Sequence, residues 1–105
     1  MQPLKILFSV FFFSTLISAC STPLDKSTLV KKYTNEESHF LSLQDMQVHY
    51  RDEGAGEVVL LLHGTASSLH TWDKWSNDLK KHYRVIRLDL PGFGLTGPHP
   101  FDQYE

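Results

Sequence analysis

Five consecutive apolar residues, Val58-Val59-Leu60-Leu61-Leu62, are stopped by Glu57 on one side and by His63-Gly64 on the other. So short a run reads as a strand, and one without polar alternation reads as buried on both faces, as in the middle of a parallel sheet. Parallel neighbours need a crossover, and the sequence supplies one. Trp72, Trp75 and Leu79 follow at i, i+3 and i+7, the spacing of one helical face. Thr71 is the candidate N-cap, Asp73 sits in the first turn, and Lys80-Lys81 sit in the last. Tyr83 to Leu88 then reads as a second strand, closed by Asp89-Leu90-Pro91-Gly92. Strand, helix and strand together make a parallel crossover.

A hairpin precedes this unit. Phe40, Leu41 and Leu43 form a short apolar run ended by the turn signal Gln44-Asp45. Met46, Val48 and Tyr50 alternate with Gln47, His49 and Arg51, the period of a half-buried strand, and 52–57 closes it with a Gly-rich turn. The expected fold class is α/β: an antiparallel hairpin, then a parallel strand-helix-strand, over residues 38–105. The end of the chain, from Pro98 on, reads as loop.

The chain has 105 residues, enough for one small domain. A net charge of −2 offers no basic field for nucleic acid. A single cysteine, Cys20, excludes an internal disulfide framework and any multi-Cys zinc site. Neither a metal nor another cofactor is expected. Lys5 and the apolar stretch from Ile6 to Ile17 are too short to span a membrane and read as a sorting signal over residues 1–19.

Ile17-Ser18-Ala19-Cys20 resembles the lipobox of bacterial lipoproteins. Small residues let a peptidase close on the backbone, and the thiol accepts a diacylglyceryl group. The resemblance implies a lipidated Cys20 as mature N-terminus and a membrane as partner, since two or three acyl chains anchor where one does not. Ser21, where the pattern uses Asp for inner-membrane retention, implies the outer membrane of a Gram-negative envelope. An ordinary cleaved signal and an uncleaved signal anchor are the alternatives. Residues 20–37 read as a polar tether able to hold a domain clear of a membrane, with a short helix possible around Leu29-Val30-Tyr33.

Residues 40–97 are similar to the N-terminal third of α/β-hydrolases. VVLLLHGTASSLHTWDKW and YRVIRLDLPGFGLTG give, in order, an apolar strand, His-Gly, a loop, Trp, a helix, a strand and Asp-x-Pro-Gly-x-Gly. Acyl transfer puts negative charge on the carbonyl oxygen, and backbone N–H groups aimed at it lower the barrier. The family takes one such donor from the loop after His-Gly. Carried over, the donor is the Thr65 N–H, with Ala66 as the alternative. Gly64 would let the chain turn sharply, and His63 would be structural. Asp89 would be a structural hydrogen-bonding residue, with Gly92 and Gly94 allowing positive φ in the loop below the site.

Gly92, Gly94 and Gly97 also spell G-x-G-x-x-G, but Pro98 and Pro100 oppose the helix that a nucleotide fingerprint must open. No nucleotide is expected. His70 and Asp73 lack a third metal ligand. His39, His49, His82 and His99 read as solvated, Trp72 and Trp75 as core, and Ser67 and Ser68 as loop.

None of the six glycines begins a G-x-S-x-G nucleophile turn. The expectation is therefore the front of a lipid-anchored hydrolase from a truncated reading frame, without nucleophile, base or acid. The third strand would be left as an open apolar edge that recruits other chains. The family implies a small ester-like substrate and a serine esterase, lipase or C–C hydrolase. Thr65 where dehalogenases commonly place Asn, and Ala66 where epoxide hydrolases have Pro, tilt away from those two, which stay as alternatives beside an inert envelope lipoprotein or binding module.

Overall fold

The computed structural model describes residues 22–104, so the sorting signal and Cys20 lie outside the described residues. Helix α1 spans Lys26–Tyr33 and is followed by strands β1 (Ser38–Leu43), β2 (Met46–Gly54) and β3 (Val58–Leu62). A 3-10 turn over Leu69–Trp72 leads into helix α2 (Asp73–Leu79), and β4 (Arg84–Leu88) ends the regular structure. The strands form one sheet in the order β1-β2-β4-β3. β1 and β2 pair antiparallel, as do β2 and β4. β3 and β4 run parallel, with Val58 opposite Arg84 and Leu62 opposite Leu88. The expected hairpin and parallel crossover are both present, and the chain has the α/β architecture its pattern implies.

The β1–β2 turn is the two-residue Gln44-Asp45, with φ of 48° and 62°. Two successive left-handed residues match the twist of an antiparallel pair. At the far end of β2, Gly54 has φ +76°, and a Cβ there would lie 2.3 Å from the Tyr83 carbonyl oxygen. Only glycine allows the chain to pass so close to the start of β4.

Which face of β2 is covered differs from the alternation reading. Met46 and Val48 are buried, but so are His49, Arg51 and Glu53 on the opposite face. Register puts these three on the same side as Val85 and Arg87 of β4, the side on which the 3-10 turn and α2 lie. The polar face is buried because its charges are paired. Arg87 Nε and Nη2 donate to the two carboxylate oxygens of Glu53 at 2.7 and 3.0 Å. Its Nη1 donates to the Leu69 carbonyl at 3.0 Å and to Asp73. Ser76 Oγ adds a 2.6 Å bond to Glu53. Buried charges persist when paired and hydrogen-bonded in this way.

The same network corrects the helix reading. Ser68, not Thr71, caps the first turn, its side chain accepting the His70 N–H. α2 begins at Asp73, and Lys80 lies at its C-cap rather than in its last turn. Ser76 is its buried residue, facing Glu53, and Trp75 is 65% exposed rather than core. β3 is not buried on both faces among the described residues. It lies at the sheet edge, with Val58, Leu60 and Leu62 each about half exposed (53%, 55% and 50%).

The tether region is not simply extended. α1 occupies much of it, and Arg51 Nη2 donates to the carbonyl of Tyr33, its last residue, at 3.1 Å. A guanidinium at a helix C-terminus satisfies an otherwise unpaired carbonyl and matches the helix dipole. α1 is thereby tied to the covered face of the sheet.

Candidate functional site

The candidate site lies where β3 and β4 end. β3 delivers His63-Gly64-Thr65-Ala66, and β4 delivers the loop from Asp89 to Gly97. Both loops leave the same end of the sheet because the two strands are parallel. Functional groups concentrate at that end in sheets of this kind.

Asp89 organises the β4 loop. Its Oδ1 accepts the Leu69 N–H at 2.9 Å, and its Oδ2 accepts the Leu95 N–H at 2.9 Å and His49 Nδ1 at 2.8 Å. Thr96 Oγ1 donates to the Asp89 carbonyl at 2.7 Å and accepts the His49 N–H at 3.0 Å. Burial pushes the Asp89 carboxyl up, but the bonds from His49, Leu69 and Leu95 outweigh it and hold the pKa below the ordinary Asp value. Gly94 sits directly against this carboxylate with φ +51°, where a Cβ would come within 2.2 Å of Asp89 Cγ. Gly92 and Gly97 also have positive φ, and Gly92 N–H donates to the Gly97 carbonyl at 2.8 Å.

His49 is therefore not solvated. It is fully buried and stacked on Phe40, with ring centroids 5.1 Å apart. His99 is buried too, its Nδ1 accepting the Phe101 N–H at 3.1 Å. His39 and His82 are exposed. His70 Nδ1 lies 3.2 Å from Asp73 Oδ2, so that pair is internal to the charged network. Burial pushes the Asp73 carboxyl up, but the bonds and charges of Arg87 and His70 outweigh it and hold it below its ordinary value. Among the described residues no three His, Cys, Asp or Glu side chains form a metal-binding group.

The β3 loop is held by His63. Its Nε2 accepts the Leu90 N–H at 2.9 Å, and its Nδ1 lies 2.7 Å from the Gly64 carbonyl oxygen. Phe93 packs edge-on to the imidazole at 5.4 Å. Thr65 and Ala66 are exposed, and among the described residues neither backbone N–H donates to a protein acceptor. The turn is made differently from expectation. Gly64 is outside the left-handed region, and nothing lies within 4 Å of where its Cβ would be. Ala66 takes the left-handed conformation instead, with φ 56°. A non-glycine residue there is locally strained.

A concavity of about 370 Å³ lies beside this end of the sheet. Leu29 and Tyr33 of α1 form one wall, and Ser68, His70 and Leu95 form the other.

The comparisons agree with this geometry. Residues 57–105 match the family model described as alpha/beta hydrolase fold. The crystal structure of the Cif epoxide hydrolase from Acinetobacter nosocomialis superposes with a TM-score of 0.63 at 26% identity, over 76% of this chain and 28% of that one. The chain carries the N-terminal part of the α/β-hydrolase fold. Two curated relatives share it. A 2-hydroxy-6-oxononadienedioate/2-hydroxy-6-oxononatrienedioate hydrolase from Comamonas testosteroni is 35% identical over 84 residues, 76% of this chain and 28% of that protein. An (E)-2-((N-methylformamido)methylene)succinate hydrolase from Acinetobacter baylyi is 41% identical over 48 residues, 46% of this chain and 18% of that protein. The chain thus spans less than a third of the length of these relatives.

The charged network of Arg51, Glu53, Asp73 and Arg87 was not singled out from sequence. Its signal was present: Arg51 and Glu53 alternate on β2, Arg87 lies on the strand that pairs with it, and Asp73 stands at the helix start. Opposite charges on one face of adjacent strands mark a pair.

Proposed function

We propose that these residues supply the oxyanion loop of a serine hydrolase that attacks a carbonyl carbon and cleaves an ester or C–C bond. The observation that carries this reading is the Thr65 N–H. It is exposed, engages no protein acceptor among the described residues, and sits at the C-terminal end of β3 beside a fixed His63. An N–H so placed meets a carbonyl oxygen without first breaking a bond of its own, and one such donor changes kcat by about 10²–10³-fold. The 6-oxo dienedioate named in the Comamonas relative offers a carbonyl carbon of this kind and supports it. The similarity to an epoxide hydrolase favours a second reading, attack by Asp on an epoxide, although Thr65-Ala66 lacks the Phe-Pro pair of that group.

We further propose that Cys20 is lipidated and that the protein sits in the bacterial envelope, at the outer membrane. The reach of the anchor is short. With α1 starting at Lys26, six peptide steps separate it from Cys20, at most about 20 Å when extended.

The test reads the nucleotide sequence past the Glu105 codon and, where the frame continues, uses the protein it encodes. The serine reading expects G-x-S-x-G within about 50 residues. In that protein Thr65→Ala keeps the N–H and should keep hydrolysis of p-nitrophenyl esters and of vinylogous diketones. Thr65→Pro removes the N–H and should cost kcat about 10²-fold or more. An Asp at the turn establishes the epoxide reading, and a stop codon with a folded product establishes an inert lipoprotein. Labelling with a palmitate analogue, lost in Cys20→Ala, tests the anchor separately.

A further inference from the structure

His63 touches the peptide unit that contains the Thr65 N–H, and its two nitrogens have assigned roles. The Leu90 N–H points at Nε2, which must therefore carry the lone pair. In the neutral ring the proton is then on Nδ1, and it donates to the Gly64 carbonyl at 2.7 Å. The Gly64 C=O and the Thr65 N–H belong to one planar trans peptide, so they point in opposite directions. Holding the carbonyl against the imidazole turns the N–H away from His63.

That hold opposes a specific alternative. Gly64 has no side chain, and nothing lies within 4 Å of a Cβ position, so the residue itself adds no steric bar to a different orientation of the following peptide. Ala66, two residues on, is in the left-handed conformation, with φ 56°. A flip would trade the free N–H for a carbonyl oxygen and convert a donor site into one that repels a developing oxyanion.

We propose that His63 is a positioning residue that fixes the Gly64–Thr65 peptide in the orientation that leaves the Thr65 N–H available as a donor. Its meaning for catalysis rests on the oxyanion reading above, but the orientation itself is tested without any turnover. Asn at position 63 places an amide N–H where Nδ1 stood and retains the bond to the Gly64 carbonyl. Gln places its carbonyl where Nε2 stood and retains only the bond from Leu90.

The experiment uses the 15N-labelled full chain and reads the Thr65 amide by residual dipolar coupling and heteronuclear NOE. Wild type and His63→Asn should show one ordered orientation. His63→Gln should lose it, with the Thr65 coupling averaged at least two-fold, while Val85 to Leu88 in β4 keep theirs. Phe93→Leu, which removes only the edge-on ring, should behave as wild type. An unchanged Thr65 amide in His63→Gln overturns the proposal. So does equal loss in His63→Gln, His63→Asn and Phe93→Leu, which would reduce His63 to packing. An oxyanion reading that fails on Thr65→Pro turnover, with the amide still locked by His63, refutes that reading and leaves the lock standing.

Discussion

His49 donates through Nδ1 to Asp89 Oδ2 across 2.8 Å, and the two side chains are 0% and 2% exposed. The bond joins the middle of β2 to the loop after β4. Asp89 also takes amides from the 3-10 turn and from Leu95, so one carboxylate ties three segments together.

Asp89→Asn should therefore be costly. The amide keeps one acceptor oxygen for three donors and turns an NH2 group toward at least one N–H. An unpaired buried polar group costs about 1–3 kcal/mol, and the expected loss is about 2–4 kcal/mol in urea unfolding followed by far-UV circular dichroism. A loss below about 0.5 kcal/mol would place the substitution among ordinary surface changes and remove Asp89 from its organising role.

Stability should fall in acid. Asp89, Glu53 and Asp73 all have folded-state pKa values below their ordinary ones, because hydrogen bonds and cationic partners outweigh burial. A depressed carboxylate contributes fully above its unfolded pKa, near about 4, and loses that contribution as pH drops through the folded value. Urea midpoints should be flat above about pH 5 on this account and decline steeply below about pH 4. In Asp89→Asn the decline should be shallower by one group. Equal slopes in the two proteins would show that Asp89 is not a source of the acid sensitivity.

Glu53 and Arg87 should behave as a coupled pair. Removing one partner, in Glu53→Gln or Arg87→Met, strands the other in a buried site and should cost about 3 kcal/mol or more. The double variant Glu53→Gln/Arg87→Met should cost clearly less than the two single losses added, which a double-mutant cycle reads directly. Additive losses would mean that the two side chains contribute independently.

The β3 edge should self-associate. Val58, Leu60 and Leu62 present half-exposed apolar side chains on an edge strand, and edges of that kind pair with other chains unless charged or covered. In sedimentation velocity the weight-average mass of the chain should rise with concentration, and Leu60→Lys should suppress that rise with little change in unfolding midpoint. A wild-type chain that stays monomeric over a hundred-fold concentration range would contradict this.

The elements that the sequence makes legible are those governed by local pattern. Val58 to Leu62 and Tyr83 to Leu88 read as strands because apolar β-formers are bounded by turn residues, and Gln44-Asp45 reads as a turn. The positive φ of Gly92 and Gly94 was legible as well. Burial of His49, Arg51 and Glu53 was not, because period-two alternation shows that two faces differ but not which one is covered. Register and the position of α2 decide that, and both are tertiary. Trp75 is exposed for a related reason: its spacing marks a helical face, while the bonds from Ser76 to Glu53 and from Arg87 to Asp73 turn another face inward. At Gly64 the sequence shows a residue type that permits a turn, whereas the left-handed residue of the loop is Ala66.

The buried charges also discriminate between alignments of the strands. Arg51 stands opposite Arg87, and Glu53 opposite Val85, so the guanidinium of Arg87 reaches its carboxylate diagonally. Sliding β2 by two residues against β4 would keep every side chain on its own face, and for purely aliphatic strands such a mistake would be nearly isoenergetic. Here a slide one way would leave Arg87 opposite His49 and away from Glu53, and a slide the other way would carry Asp89 from opposite His49 to opposite Arg51. The misaligned sheet is penalised as it forms, so the ionic cluster proof-reads the assembly of a sheet whose edge would otherwise accept many partners.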